Sequence, residues 1–164
     1  MDRLTAEHRS WNMSRIRSKD TAPERAVRSS LHRAGLRFRL HDRTLPGTPD
    51  IVLRKHKIVV LVHGCFWHRH PRCRYAYAPK SRPEFWEAKF AANIARDARI
   101  RAALRRLGWT VVVVWECQAS VSAKLMSVIA RIRRLITMRG STSLGNRPVQ
   151  STRRLKPPRR RAGF

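Results

Sequence analysis

Between Gly108 and Glu116 the chain reads Trp-Thr-Val-Val-Val-Val-Trp, and no other stretch restricts the fold as strongly. A β-branched run without polar alternation is a buried strand, as in a sheet covered by helices on both faces. Neither this run nor the other long apolar run, Ile58–Val62, approaches the roughly 20 residues a membrane helix needs. The covering elements are legible on either side. Thr21-Ala22-Pro23-Glu24 has the form of a capping box with Pro near the helix start. Val27, Leu31 and Ala34 follow at helical spacing, and Gly35 can end that helix. Arg37–Leu40 alternates like a strand, and Leu45-Pro46-Gly47-Thr48-Pro49 is a turn. Ile51–Leu53 and Ile58–Val62 form a hairpin across a short basic turn. A long helix is expected over Pro83–Leu107, with Phe90, Ile94 and Leu104 on one face and Gly108 as its cap. A last helix covers Val121–Met138. The expected fold is mixed α/β, a small central mixed sheet flanked by helices.

The 164 residues suit one domain, expected over 21–138, between a basic arm at 1–20 and a basic disordered tail at 139–164. Lys and Arg number 37 against 10 Asp and Glu, a net charge of +27. That balance excludes an ordinary neutral cytosolic enzyme of small metabolites and points to a polyanion, nucleic acid first and an anionic membrane surface second. With 42% hydrophobic residues the chain is not a wholly disordered tail protein. The Val121–Met138 segment is only weakly amphipathic, so the membrane reading is the poorer one. The start carries no signal-peptide pattern, and three cysteines cannot all pair internally. A cytoplasmic setting follows, with the cysteines as metal ligands or buried thiols.

Residues 63–83 have no periodicity and read as an ordered loop rich in His, aromatic residues and Arg. Cys65-x4-His70-x2-Cys73, with Cys117 just beyond the buried strand, offers a structural zinc set. Spacing alone does not separate His68 from His70 as the third ligand. Asp50 heads a strand and has the position of a Mg²⁺ ligand or of a turn cap. Glu24 is a first-turn acid and a capping residue at once. His63 and His68 are candidates for proton transfer near neutral pH. Asp97 falls by the apolar stripe of the long helix, where a carboxylate needs a partner, a histidine or Arg101. Phe66-Trp67 reads as a wedge for stacking into bases or as packing beneath a metal site. Met13, in the arm, is a second wedge or an anchor to the core.

Leu45-Pro46-Gly47-Thr48-Pro49-Asp50, the run from His63 to Cys73, and Trp115-Glu116-Cys117 resemble the very-short-patch repair endonucleases. Asn12–Ile16 and Asp20–Glu24 are similar to that family too, and the likeness covers roughly residues 9–135. It implies a restriction-endonuclease-like fold. It also implies a DNA mismatch endonuclease that nicks one strand 5′ to the T of a T·G pair left by deamination of 5-methylcytosine, in a CT(A/T)GG-type context. By the same likeness Asp50 and the Val62 carbonyl hold Mg²⁺, His68 activates water, and His63 assists at the metal's waters or the phosphate. Glu24 and Asp97 match supporting acids. Cys65, His70, Cys73 and Cys117 match a structural Zn²⁺ site, which favours His70 over His68. Met13, Phe66 and Trp67 match intercalating residues. The wider nuclease pattern of Glu-x-Lys after the Asp is missing, since that strand ends Leu61-Val62-His63-Gly64. The implied partner is mismatched double-stranded DNA, with mismatch-repair proteins as further partners, and the implied state is a monomer. The alternative is a zinc-stabilised DNA-binding protein without catalysis.

Overall fold

The computed structural model describes residues 19–143. Met13 lies outside them, with the rest of 1–18, and so does 144–164. The elements in chain order are helix α1 (Ala22–Arg33), strands β1 (Arg39–Leu40), β2 (Ile51–Leu53) and β3 (Ile58–His63), helix α2 (Pro83–Arg106), strand β4 (Thr110–Trp115), and helices α3 (Glu116–Ala119) and α4 (Ser122–Ser143). The four strands form one mixed sheet in the order β1-β2-β3-β4. β1–β2 and β2–β3 pair antiparallel; β3–β4 pair parallel, from Ile58↔Thr110 to His63↔Trp115. The parallel pair needs a crossover, and α2 supplies it.

Side-chain alternation divides the sheet into two cores. Ile51, Leu53, Ile58, Val60, Val112 and Val114 face α1 and α4, where Val27, Leu31, Ile129 and Ile132 meet them. Val52 and Val59 face the other way, against Leu104 and Trp109 with Ile100 and Val111 beside them. The sheet is therefore covered on both faces, as the valine run requires. Because β4 is an edge strand, only Val112 and Val114 of that run are fully buried, and Val111 and Val113 are half-buried.

Thr21 caps α1 as its sequence suggests. Its Oγ1 accepts from the Glu24 amide at 3.4 Å, while the Glu24 carboxylate accepts from the Asp20 amide at 3.1 Å and from the Thr21 hydroxyl at 3.0 Å. The inner stripe of α2 corrects one expectation. Phe90, Asn93, Asp97 and Leu104 are buried, whereas Ile94 is 47% exposed. The stripe steps by three and four residues, and Ile94 sits about 70° from its centre. The strand expected over Arg37–Leu40 is reduced to its last two residues. Helix α4 runs past Met138 to Ser143. Arg139 donates to the carbonyls of His56 and Lys57 at 3.3 Å each and of Gly108 at 3.4 Å, tying α4 to two loops. Among the described residues no helix is long and apolar enough to cross a membrane.

Candidate functional site

β2 and β3 run antiparallel, so the start of β2 lies beside the end of β3. A cleft of about 940 Å³ opens there, lined among others by Glu24, Asp50, His63, His68, Asn93 and Asp97. The turn before Asp50 uses Gly47 at φ +72° and Thr48 at φ +48°. A Cβ on Gly47 would lie 2.5 Å from the Ile100 side chain, so the turn fits against α2 only without one. Asp50 accepts the Val62 amide on Oδ2 at 2.7 Å. Burial raises the Asp50 carboxyl above its ordinary range against the opposing Val62 bond, and the nearby Glu24 charge adds to the rise.

His63, the last residue of β3, has the pleat parity of Val59 and Leu61, which turns it toward the α2 side. The chain then folds back, with the His68 amide donating to the Gly64 carbonyl at 3.1 Å. This stacks His68 on His63 with ring centroids 4.0 Å apart. Asp97, from the buried stripe of α2, meets His68 Nδ1 at 2.5 Å through its Oδ2. Of the two partners that sequence left open for Asp97, the side chain is thus on the histidine, and Arg101 bonds its backbone carbonyl at 3.3 Å. Burial, with His68 alongside, pushes His63 down to about 4, so its imidazole is neutral at pH 7.

Glu24 borders the cleft but is committed to Arg28 at 2.6 Å. Asp20, Glu24 and His41 offer ligand atoms within 4.8 Å of one another. The Arg28 guanidinium, bonded to both acids and 3.0 Å from His41 Nε2, offsets part of that group's charge and makes it an ion-pair network.

Cys65, His70, Cys73 and Cys117 bring four ligand atoms within 4.8 Å of one another, and all three cysteines are free. His70 Nδ1 lies 3.6 Å from Cys65 Sγ and 3.3 Å from Cys117 Sγ. Its ring stacks on Trp115 at 4.2 Å. Burial pushes the Cys65 thiol up to about 12, and it raises that of Cys117 as well. Thiols so close, without a disulfide, are chemically suited to a borderline-soft cation that stabilises them as thiolates. The set is compatible with a metal site, and His68 stands apart from it with Asp97.

Phe66 and Trp67 are half-buried. The Phe66 ring lies 5.0–5.4 Å from those of Trp67, Tyr77, Trp86 and Phe90. Trp67 also lines the cleft, and its carbonyl accepts the Asn93 side-chain amide at 3.0 Å. Three contributors escaped the sequence reading. Glu116 Oε2 accepts the Cys65 amide at 3.1 Å and borders the cleft, linking the cysteine cluster to it. Trp86 belongs to the aromatic cluster. Asn93 was detectable only as a polar residue on an apolar stripe.

A family profile described as DNA mismatch endonuclease Vsr matches residues 1–74. The type II nicking enzyme V.XorIIP of Xanthomonas oryzae is 52% identical over 135 residues, which cover 82% of this chain and 96% of that protein. The type II nicking enzyme V.NmeAIP of Neisseria meningitidis is 42% identical over the same shares of each chain. The DNA mismatch endonuclease Vsr of Escherichia coli is 44% identical over 117 residues, 71% of this chain and 74% of that one.

Proposed function

The chain belongs to the Vsr family of DNA mismatch endonucleases and is a DNA endonuclease, and from that premise we propose that it nicks the strand carrying the T of a T·G mismatch, on the 5′ side of that T. The observation that carries the reading is the cleft itself. It sets a carboxylate, Asp50, near a histidine held by an acid, His68–Asp97, with the aromatic pair Phe66–Trp67 on the same rim. The mixed sheet flanked by helices supports a restriction-endonuclease-like core. The alternative of a non-catalytic DNA-binding protein falls with the endonuclease assignment.

In this reading the Asp97 carboxylate fixes the proton of His68 on Nδ1 and leaves the Nε2 lone pair to take a proton from water. The water oxygen forms the new bond to phosphorus, a bridging P–O bond breaks, and the departing sugar oxygen takes a proton from solvent to leave as a hydroxyl. His63, neutral and stacked on His68, keeps a second positive charge from the imidazole face as the proton arrives. Asp50 and the Val62 carbonyl hold Mg²⁺, which when bound supplies stabilisation of the charge that builds on the phosphate. The raised Asp50 carboxyl fits that role, since burial disfavours its charge unless a cation is close. The Val62 amide already occupies one carboxylate oxygen of Asp50, so its orientation is fixed beforehand. Glu24 supports the arrangement from α1 through Arg28. Cys65, His70, Cys73 and Cys117 hold Zn²⁺ as a structural ion that orders the loop carrying Phe66, Trp67 and His68. Phe66 and Trp67, with Met13 from the arm, part the weakly stacked mismatch, which costs less than opening a paired step. The protein works as a monomer on double-stranded DNA in the bacterial cytoplasm, with mismatch-repair proteins as further partners.

The test is a nicking assay with Mg²⁺ on a labelled duplex holding one T·G mismatch in CT(A/T)GG, beside its C·G counterpart. A single nick 5′ to the T, absent from the control and abolished by EDTA, is expected. Asp50→Ala should remove nicking and keep duplex binding. Equal cutting of the C·G duplex would overturn the mismatch reading.

A further inference from the structure

The buried stripe of α2 carries two polar residues where a core-facing helix ordinarily carries apolar ones, Asn93 and Asp97. They are one helical turn apart, and they hold two consecutive loop residues. Asp97 takes the imidazole of His68 at 2.5 Å, and Asn93 Nδ2 donates to the carbonyl of Trp67 at 3.0 Å. That carbonyl belongs to the peptide unit joining Trp67 to His68. The other end of the same unit, the His68 amide, donates to the Gly64 carbonyl at 3.1 Å. Both polar ends of one planar group are therefore pinned, and planarity passes that constraint to the His68 Cα. Asn93 is only 7% exposed, so its amide needs the bond it makes. Leucine at the same place would fill the stripe and leave the Trp67 carbonyl without that donor.

We infer that Asn93 is a positioning residue for nicking, one that fixes the Trp67–His68 peptide so that the aromatic rim and the proton-accepting imidazole hold one register. This rests on the role given to His68 above, and it assigns Asn93 no contact with DNA. Asp97 sets the azimuth of the His68 ring and Asn93 sets the position of the backbone that carries it. The ring stays bonded to Asp97 only while that backbone stays in place. A misplacement of about 1 Å at such a group costs on the order of 10²-fold in rate.

The experiment combines proton NMR of the DNA-free protein with single-turnover nicking of the T·G duplex. In the wild-type protein the His68 Nδ1 proton, shared with Asp97, gives a low-field resonance, and an Asn93 Nδ2 proton exchanges slowly with water. In Asn93→Ala and in Asn93→Leu the low-field resonance broadens or disappears. The single-turnover rate at saturating enzyme falls about 10–100-fold, and the Kd for the duplex stays within about threefold. An unchanged resonance and rate in Asn93→Ala would overturn the inference. A wild-type rate in Asn93→Leu would also overturn it, because volume and not the donor would then be what matters. So would a loss of binding as large as the loss of rate, which marks a DNA contact. If neither variant melts cooperatively, the wild-type exchange decides: a fast-exchanging Asn93 amide overturns the inference and a protected one sustains it. A wild-type protein that leaves T·G duplexes intact, with the His68 resonance still lost in Asn93→Ala, removes the mismatch reading and keeps the positioning role.

Discussion

Acidic residues are scarce in this chain, 10 against 37 basic ones, and five of them turn inward onto distinct partners. Glu24 meets Arg28, Asp42 meets Arg54, Asp50 the Val62 amide, Asp97 His68, and Glu116 the Cys65 amide. Scarcity is what made Glu24, Asp50 and Asp97 stand out in the sequence. It did not single out Glu116, whose partner is a backbone amide 51 positions away, nor Asn93, which carries no charge. Asp42 lies away from the cleft and gives a pH test. Hydrogen bonds from the Thr44 hydroxyl and from Arg54 hold its carboxyl down at about 2, against 3.8 for a free one. The folded carboxyl thus titrates below the unfolded one. Its contribution is in place above about pH 4 and is lost as pH falls toward about 2. Asp42→Asn should lower Tm by about 2–4 °C at pH 7. The gap to wild type should hold down to about pH 4 and narrow below it, read from paired melts across the range. A gap that closes already at pH 6 would show that another group carries the effect.

The elements were legible to unequal degrees for physical reasons. α1 and its cap, the β2–β3 hairpin and the span of α2 are coded locally, by Thr21, by the basic turn, and by Pro83 with Gly108. The edge position of β4 is not, because strand order depends on contacts between distant segments. Ile94 was misassigned because hydrophobicity was allowed to define the face, whereas α2 turns its polar Asn93 and Asp97 inward to hold the loop. The turn at 45–49 is the tightest local constraint. Gly47→Ala needs a positive φ and meets Ile100 at 2.5 Å. It should cost roughly 1–3 kcal/mol in urea unfolding. It should also cost nicking activity, since the turn delivers Asp50. The loop after β3 depends on something else. Between His63 and Pro83 the backbone forms only turns and bends, and one of the four residues of its cysteine cluster, Cys117, comes from α3. Protein purified without chelator should carry about one zinc per chain. Cys117→Ser should lose it, and amide exchange in residues 64–82 should then accelerate while the β2–β3 amides stay protected. Full protection of the loop in metal-free protein would refute a structural role for the ion.

At the scale of the whole molecule, charge is the property that sequence displays most openly and that the fold explains least. The +27 is spread over every segment, so it marks a polyanion partner without locating the cleft. The cleft follows from topology, because an antiparallel hairpin and a parallel crossover bring the starts and ends of strands together at one edge. Sequence and fold can be separated by experiment at the C-terminus. Residues 144–164 hold seven Lys and Arg and no acid. Arg139, by contrast, anchors α4 to the loops after β2 and α2, so a truncation has to keep it. Each phosphate neutralised contributes about −0.9 to the slope of log K against log salt. Ending the chain at Ser143 should therefore flatten that slope by up to about 6 for duplex binding, in equal measure for T·G and C·G duplexes. The single-turnover rate at saturating enzyme should not change, because phosphate contacts hold the duplex without reading it. A truncated protein that keeps the wild-type slope would place those cations off the DNA. One that loses the preference for T·G would give the tail a part in recognition that plain phosphate attraction does not have.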